Sequence, residues 1–265
     1  MEDQVSLSIR QFTEAWRVFC TVSPDHVVAD LNGMECIFSG LPIPFFNVVV
    51  ITERSVSTEA LHRHGRAACE WTAGKDVPWF LVVTHETLAD GTDAAAVLGE
   101  CGLAPMVSLT GMLARRVAPA ESLPEGLELA RPDDDAGCAA LLAVNGAAYG
   151  IPLDAGIETI GSHSLWKDHV AVVGKVGGKP VSCAAVLMVE EHRYVAFVAT
   201  DPSHQRRGYA DAAMRYALDL AARAFGETPT ALHATDAGRP VYERMGYAPI
   251  SRHTLFIEKK FLGEH

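Results

Sequence analysis

Apolar residues recur along this chain first at helical spacing and then at strand spacing. Helical spacing runs from the start to Cys20. The strand-like stretches His26–Leu31 and Met34–Ser39 follow, joined by the hairpin sequence Asn32-Gly33. The next predicted elements are a strand, a helix, a strand, a helix and a strand or strand pair, at Phe45–Ile51, Ser57–Trp71, Trp79–His85, Asp93–Cys101 and Leu103–Val117.

The same order of elements recurs after a linker with prolines and glycine at Pro119–Glu128. The predicted elements beyond it are a strand, a helix to Tyr149, a hairpin, a strand, a long helix, a strand, a short helix and closing strands, at Leu127–Arg131, 133–149, His169–Val176, Pro180–Val189, Tyr194–Ala199, 208–221, Thr230–His233, Gly238–Met245 and Tyr247–Lys259. We interpret the recurrence as a structural duplication with domains at 1–120 and 126–265; a coincidence of two α/β orders is the alternative.

Composition restricts the class of protein further. The chain has 265 residues, is 49% hydrophobic and carries a net charge of −11, with an excess of carboxylates in both halves. This balance argues against a nucleic-acid binder and against binding to an anionic membrane. The six cysteines include no CxxC pair, so we expect no metal site. The amphipathic start is unlike a signal peptide, and we expect a soluble cytoplasmic protein, a monomer or a homodimer.

The turn between the strand ending near Pro202 and the helix beginning near Gly208 carries the most informative chemistry. Backbone N–H groups at such a turn, with the positive end of the helix dipole behind them, form a cradle for a diphosphate. Gly208 allows close approach, Ala210 keeps the next contact small, and Arg206 and Arg207 add positive charge.

The sequence here resembles the GNAT superfamily of acyl-coenzyme A-dependent N-acetyltransferases. Gln205, Gly208 and Ala210 match its (Gln/Arg)-x-x-Gly-x-(Gly/Ala) signature, and Tyr242 to Tyr247 is similar to its Leu-Tyr-x-x-x-Gly-Phe element. The resemblance covers about 127–259. It implies an α/β (α+β) fold of two GNAT-like halves, each a mixed, mostly antiparallel sheet flanked by helices.

The resemblance also implies acetyl-coenzyme A (acetyl-CoA) as the cofactor. Its pantetheine arm would lie in a gap beside the third strand and pair with the backbone there, as an added strand does. The residues implied to bind the coenzyme are Phe197, Val198, Ala199, Thr200, Gln205, Arg206, Arg207, Gly208, Tyr209, Ala210 and Thr235. Thr235 and Asp236 stand where the family often has an asparagine.

The catalytic residues are less completely specified. Tyr242 matches the family's tyrosine acid, with a tyrosine packed in the core as the alternative. Some members have a glutamate base where this chain has Tyr194, so the base is open. Glu190 at the hairpin tip, His163 in a loop, and a chain of water molecules are the candidates.

The first half resembles the same fold without its site. Its equivalent turn, Ile51–Thr58, has no glycine, and Glu53 and Glu59 would repel a diphosphate. We therefore expect an N-acetyltransferase that moves an acetyl or short acyl group to a primary amine of a small molecule, by direct attack in a ternary complex. The alternatives are a non-catalytic acyl-CoA-binding regulator and a protein amine acetyltransferase.

Overall fold

A computed structural model, which describes residues 3–120 and 122–262, follows the order of elements that the apolar spacing predicts. The helices are α1 (Gln4–Cys20), α2 (Thr58–Thr72), α3 (Ala94–Glu100), α4 (Asp135–Tyr149), α5 (Tyr209–Phe225) and α6 (Arg239–Arg244). The strands are β1 (Val27–Asp30), β2 (Met34–Phe38), β3 (Asn47–Ile51), β4 (Phe80–Thr84), β5 (Leu103–Ala114), β6 (Leu127–Ala130), β7 (Val170–Val176), β8 (Lys179–Val189), β9 (His192–Thr200), β10 (Thr230–Thr235) and β11 (Ala248–Glu258).

The chain forms two compact units. The first contains the described chain up to Met112, together with Ala234–Arg239 and the stretch from Pro249 onwards. The second contains Leu113–His233 and Pro240–Ala248. The first unit therefore includes two segments that are distant in sequence from its main part.

In the first unit the strands lie in the order β1-β2-β3-β4-β11-β5. β1, β2 and β3 form an antiparallel meander, and α2 connects β3 to the parallel strand β4. The buried faces of β2, β3 and β4 pack against α2 and α3, with Trp79 and Leu61 among the fully buried side chains.

The position of β11 differs from the sequence-based expectation. The sequence predicts closing strands at 247–259 in the half that begins at residue 126. The structure instead has one closing strand, which runs antiparallel to β4 and pairs Leu255, Phe256 and Ile257 with it. These side chains are buried beside β4, and this burial stabilises the pairing. Periodicity identifies such a strand but does not specify its partner.

In the second unit the order is β6-β7-β8-β9-β10. The first four strands are antiparallel to their neighbours, and α5 connects β9 to the parallel strand β10. Both units therefore contain a meander followed by a helical crossover to a parallel strand. The prediction of two halves, each with a mixed, mostly antiparallel sheet and flanking helices, is confirmed in strand order and direction.

The cysteines and the helices of the described residues also bear on the class of protein. The six cysteines are all free thiols, and four of them are buried, as expected for small core residues. None of the helices within residues 3–120 and 122–262 has the length and apolar character needed to cross a bilayer.

A buried polar network in the first unit anchors β11. His253 Nδ1 lies 3.0 Å from Thr84 Oγ1, and its Nε2 lies 2.8 Å from Ser251 Oγ. Ser251 Oγ also donates to Ser8 Oγ on α1 at 2.7 Å. Burial lowers the pKa of His253 to about 4, so the imidazole is neutral in the folded protein near pH 7.

This network makes the stability of the protein sensitive to pH. In the unfolded chain His253 takes up a proton below about pH 6.5, whereas the folded state resists protonation down to about pH 4. The contribution of neutral His253 to the free energy of unfolding is therefore complete above pH 6.5. It is lost as the pH falls towards 4, and the loss is on the order of 3 kcal/mol.

We expect His253→Gln to weaken that pH dependence. Between pH 7.5 and pH 5 the free energy of unfolding should fall by about 2 kcal/mol more in the wild type than in the variant. Denaturant unfolding at both pH values measures the difference. Equal losses in both proteins would show that His253 is not the group responsible.

Candidate active site

The parallel strands β9 and β10 separate soon after they meet. Their register contains two pairs, Arg193 with Thr230 and Tyr194 with Ala231, and within the described chain the ladder ends there. The remainder of β9, from Val195 to Thr200, therefore has no strand partner on its β10 side. An extended ligand can occupy such a gap and pair with the strand edge.

A bulge in β9 lies beside this gap. The register with β8 shifts between Cys183 and Ala185, and Phe197 has a positive φ of 52°. A residue with a β-carbon rarely adopts this conformation, which costs on the order of 1–3 kcal/mol. The surroundings hold it in place: Cys183 Sγ donates to the Phe197 carbonyl at 3.0 Å, and the rings of Trp166 and Phe197 pack edge to face.

The turn after β9 is open and exposes its backbone. Asp201 organises its first part by accepting hydrogen bonds from Ser203 and His204, which hold the pKa of that carboxyl at about 2. Arg206 and Gly208 then adopt positive φ values of 61° and 77°. This geometry directs consecutive N–H groups to one side of the turn, in the arrangement that binds anions.

The N-terminus of α5 has no side-chain cap from the described chain, because the N-cap residue is Gly208. A β-carbon at Gly208 would find Pro124 Cγ, at 3.8 Å, as its nearest neighbour. The protein thus leaves the space in front of the N-terminal amides of a 17-residue helix open. These amides, with the helix dipole behind them, fit a diphosphate.

The side chains expected to bind the coenzyme fall into three groups. Gln205, Arg206 and Arg207 are exposed around the turn. Tyr209 packs in the core with Leu127 and Val181, so its backbone alone remains available.

Thr235 belongs to the third group, in which the side chain is engaged locally. Its hydroxyl lies 3.3 Å from the amide nitrogen of Gly238, whose N–H also bonds to the Thr235 carbonyl. The hydroxyl thus supports the turn before α6, and the expectation that Thr235 binds coenzyme stays a prediction.

Two tyrosines of the second unit lie near the bulge. The hydroxyl of Tyr149, at the end of α4, donates to the carbonyl of Val198 at 3.3 Å. Burial raises the pKa of Tyr242, and the neighbouring phenols of Tyr149 and Tyr247 raise it further. Tyr242 packs edge to face on Tyr247, whose hydroxyl lies 2.9 Å from that of Thr230. Tyr242 therefore remains a neutral phenol that can donate a hydrogen bond.

Glu190 does not belong to this group. It occupies the turn of the β8–β9 hairpin with a φ of 50° and is exposed. At about 3.3 Å per residue, it lies roughly 25 Å along β9 from Val198. A general base must come within hydrogen-bonding distance of its proton, so this position does not support the expectation that Glu190 is catalytic, which stays a prediction. Strand β9 begins at His192, ahead of its predicted start at Tyr194, and Glu190 lies in the turn just before it.

His163 is the other side chain that sequence reasoning offered as a base. Its backbone N–H donates to Asp135 Oδ1 at 2.7 Å, which fixes the loop after α4 to the first turn of that helix. This contact explains the local fold of the loop without assigning a function to the imidazole.

Sequence reasoning missed two residues of the site. Tyr149 was seen only as the end of a helix, and His233 only as the end of a strand. In the structure the Nδ1 atom of His233 lies 2.9 Å from the hydroxyl of Tyr194. Neither position belongs to a motif, and a two-residue alternation along the predicted strand was the available signal for His233.

Among the residues that the structure describes, the first unit has neither the gap between strands nor the uncapped helix. β3 and β4 pair at three consecutive positions, from Val48 with Phe80 to Val50 with Val82, with no register shift. Ser57 caps α2 by accepting from the Ala60 N–H, and Glu59 places a carboxylate in the first turn. The amides that could bind a diphosphate are therefore partly satisfied and faced by a negative charge.

Comparison with known proteins agrees with this geometry. Residues 151–247 match the model of the acetyltransferase (GNAT) family. No curated protein matches the sequence. A GCN5-related N-acetyltransferase from Kribbella flavida has a similar structure, with 20% identity, a TM-score of 0.71, and coverage of 98% of this chain and 97% of that one.

Two other solved structures share the fold at lower identity. A GCN5-related N-acetyltransferase from Sphaerobacter thermophilus is 13% identical, with a TM-score of 0.58 over 85% of this chain and 76% of the other. A tandem GNAT protein from the clavulanic acid biosynthesis pathway is 11% identical, with a TM-score of 0.54 over 93% and 94%. At these identities the likeness shows the fold.

The family match indicates an acetyltransferase domain at residues 151–247. This range lies within the 127–259 where the sequence resembles the GNAT superfamily. Members of this family generally use an acyl-coenzyme A. The open N-terminus of α5 and the gap beside β9 fit such a molecule, because the first suits its diphosphate and the second its extended arm.

The glycine at the N-cap of α5 provides a direct test of the diphosphate site. We expect Gly208→Glu to abolish the rise in melting temperature that coenzyme A causes, because a carboxylate would stand where the diphosphate binds. Thermal unfolding with and without coenzyme A measures this effect.

Gly178→Glu is the matched control. Gly178 has a φ of 80° against 77° for Gly208, and a β-carbon there likewise meets open space. Both variants bear the same backbone strain and charge, and the control should keep the coenzyme-dependent shift. A normal shift in Gly208→Glu would exclude this turn as the diphosphate site.

Proposed function

We propose that this protein is an N-acetyltransferase that moves an acetyl group from acetyl-CoA to a primary amine of a small molecule, both bound together. The observation that carries the proposal is the opening between β9 and β10, which begins after Tyr194 and leads to the uncapped turn before α5. A gap for an extended chain and a cradle for a diphosphate thus follow one another along a single strand and its turn.

The coenzyme would be held mainly by backbone groups. The N–H groups of Gly208, Tyr209 and Ala210 would face the diphosphate, with the exposed Arg206 and Arg207 beside it. The edge of β9 at 197–200 would pair with the pantetheine arm. Acetyl-CoA supplies an activated thioester whose carbonyl carbon accepts an amine.

Tyr242 is the proposed acid of the reaction. Its pKa is raised by burial first and by Tyr149 second, so the phenol remains protonated. A neutral phenol can donate a hydrogen bond to the sulfur atom as negative charge develops there. Tyr149 is an electrostatic neighbour of Tyr242, and its own hydroxyl donates to the Val198 carbonyl beside the bulge.

A cavity of about 450 Å³ beside the end of α4 suits a small acceptor. Its lining is mostly apolar, and it includes one carboxylate, Asp154. Gly146, Ala147 and Gly150 of this lining are within a turn of Tyr149 in sequence. An amine with a modest apolar body and a cationic end would match these surroundings.

A panel of small primary amines, incubated with acetyl-CoA, tests the proposal by release of free thiol. Release that depends on one class of amine would support it. Stabilisation by coenzyme A without thiol release from any amine would instead favour a non-catalytic acyl-CoA-binding protein. Release with lysine-containing peptides alone would favour a protein amine acetyltransferase.

Tyr242→Phe should lower turnover by about 10²-fold or more and leave the coenzyme-dependent thermal shift unchanged, because the phenol donates to the leaving sulfur and the diphosphate binds elsewhere. Steady-state kinetics with saturating acetyl-CoA measures turnover.

Tyr216→Phe provides the matched control, since Tyr216 is a partly buried tyrosine on α5 of the same unit. We expect it to keep the wild-type rate. A wild-type rate in Tyr242→Phe as well would remove Tyr242 from the role of acid.

A further inference from the structure

Tyr194 and His233 meet where β9 and β10 stop pairing. Tyr194 lies opposite Ala231, the last paired position, and its hydroxyl is 2.9 Å from Nδ1 of His233. The two rings are stacked, with centroids 5.8 Å apart and planes 30° apart. His233 is two residues beyond the last paired position on β10, and the bulge at Phe197 is three residues beyond it on β9. The imidazole therefore lies in the region where the proposed arm of the coenzyme would end.

The two side chains differ in exposure. Tyr194 is 1% exposed, whereas His233 is partly exposed. Burial raises the pKa of Tyr194 well above its ordinary value, so its hydroxyl stays neutral. A rigid, buried phenol thus fixes the orientation of a more accessible imidazole through Nδ1. The Nε2 atom is at the opposite edge of that ring.

The charged residue next to Tyr194 in sequence, Arg193, faces the other side of the sheet. Arg193 alternates with Tyr194 along β9, and its guanidinium donates to the carbonyl of Leu218 on α5 at 3.2 Å. It also forms an ion pair with Glu227. The titratable groups otherwise assigned to the site are the phenols of Tyr149 and Tyr242, and burial raises the pKa of each. Neither phenol is a suitable proton acceptor near neutral pH.

We infer that His233 accepts the proton of the acceptor amine and that Tyr194 is the positioning residue that holds the imidazole. The inference rests on the proposed function. In this step an N–H bond of the ammonium group breaks and its electron pair stays on nitrogen. The proton adds to Nε2 of His233, and the imidazolium then releases it to solvent. Histidine suits this role because its ordinary pKa lies close to the working pH.

The test compares two kinds of acceptor in His233→Asn. An alkyl amine is protonated at pH 7.5 and needs a base to remove the proton before it attacks. Trifluoroethylamine is neutral at this pH, because its fluorine atoms withdraw electrons, and therefore depends less on a base. We expect kcat/KM to fall by about 10²-fold or more for the alkyl amine and by less than about tenfold for trifluoroethylamine. Equal losses for both acceptors, or no loss, would overturn the inference.

His163→Asn is the matched control, because His163 is the other histidine considered as a base. It should behave as the wild type with both acceptors. A selective loss for the alkyl amine in this variant, with His233→Asn unaffected, would transfer the role to His163.

Tyr194→Phe tests the positioning role and needs no turnover in its first measurement. In NMR spectra we expect the imidazole signals of His233 to shift when coenzyme A is added, and their titration midpoint to change in Tyr194→Phe. The same variant should shift the acidic limb of the kcat/KM pH profile. If coenzyme A stabilises the protein thermally but does not shift the imidazole signals of His233, the placement of His233 is contradicted.

These outcomes separate the two proposals. Wild-type protein that binds coenzyme A but releases no thiol with any amine would overturn the proposed function and, with it, this inference. An active wild type with an equally active His233→Asn would overturn the inference alone.

Discussion

The two backbone pairs between β9 and β10 determine the geometry on which the candidate site depends. If the pairing continued past Tyr194 and Ala231, β10 would close the edge of β9 and no extended ligand could reach it. Unpaired strand edges are energetically unfavourable when they are buried. Side chains offset part of this cost here, since Cys183 and Tyr149 satisfy the carbonyls of Phe197 and Val198. A bound chain that pairs with the rest would complete the sheet.

The first unit has the same topology as the second, and it differs from the candidate site at only a few residues. It has the same meander, crossover helix and parallel strand, yet β3 continues straight into a third pair with β4. Its crossover helix begins with Ser57, whose side chain occupies an amide that Gly208 leaves open in α5. One cap residue and one bulge therefore account for much of the difference in what the two units can bind.

The elements were predictable because their signals are local. Hairpin glycines, capping residues and the alternation of apolar positions fixed most strands and helices to within a few residues, and the turn at Gln205–Ala210 was evident from its glycine and its neighbours. The partner of β11 was not, because pairing with β4 joins residues such as Leu255 and Val82 that are far apart in sequence. His233 was missed for the same reason, since its contact with Tyr194 follows from the register of two strands. Glu190 lies at the hairpin tip as predicted, but proximity in sequence to a site says little about distance when most of a strand lies between.

Burial divides the proton chemistry of the site between two kinds of side chain. Desolvation raises the pKa of the partly buried Tyr242 phenol, so Tyr242 can donate a proton but is a poor acceptor. A partly exposed imidazole can accept a proton and pass it to water. With phenols and an imidazole in these roles, the gap needs no permanent charge, and the cationic groups Arg206 and Arg207 are confined to the exposed turn. The chain as a whole carries a net charge of −11, which attracts a cationic amine over longer distances. The diphosphate and the amine would thus be drawn to different parts of the same unit by charges of opposite sign.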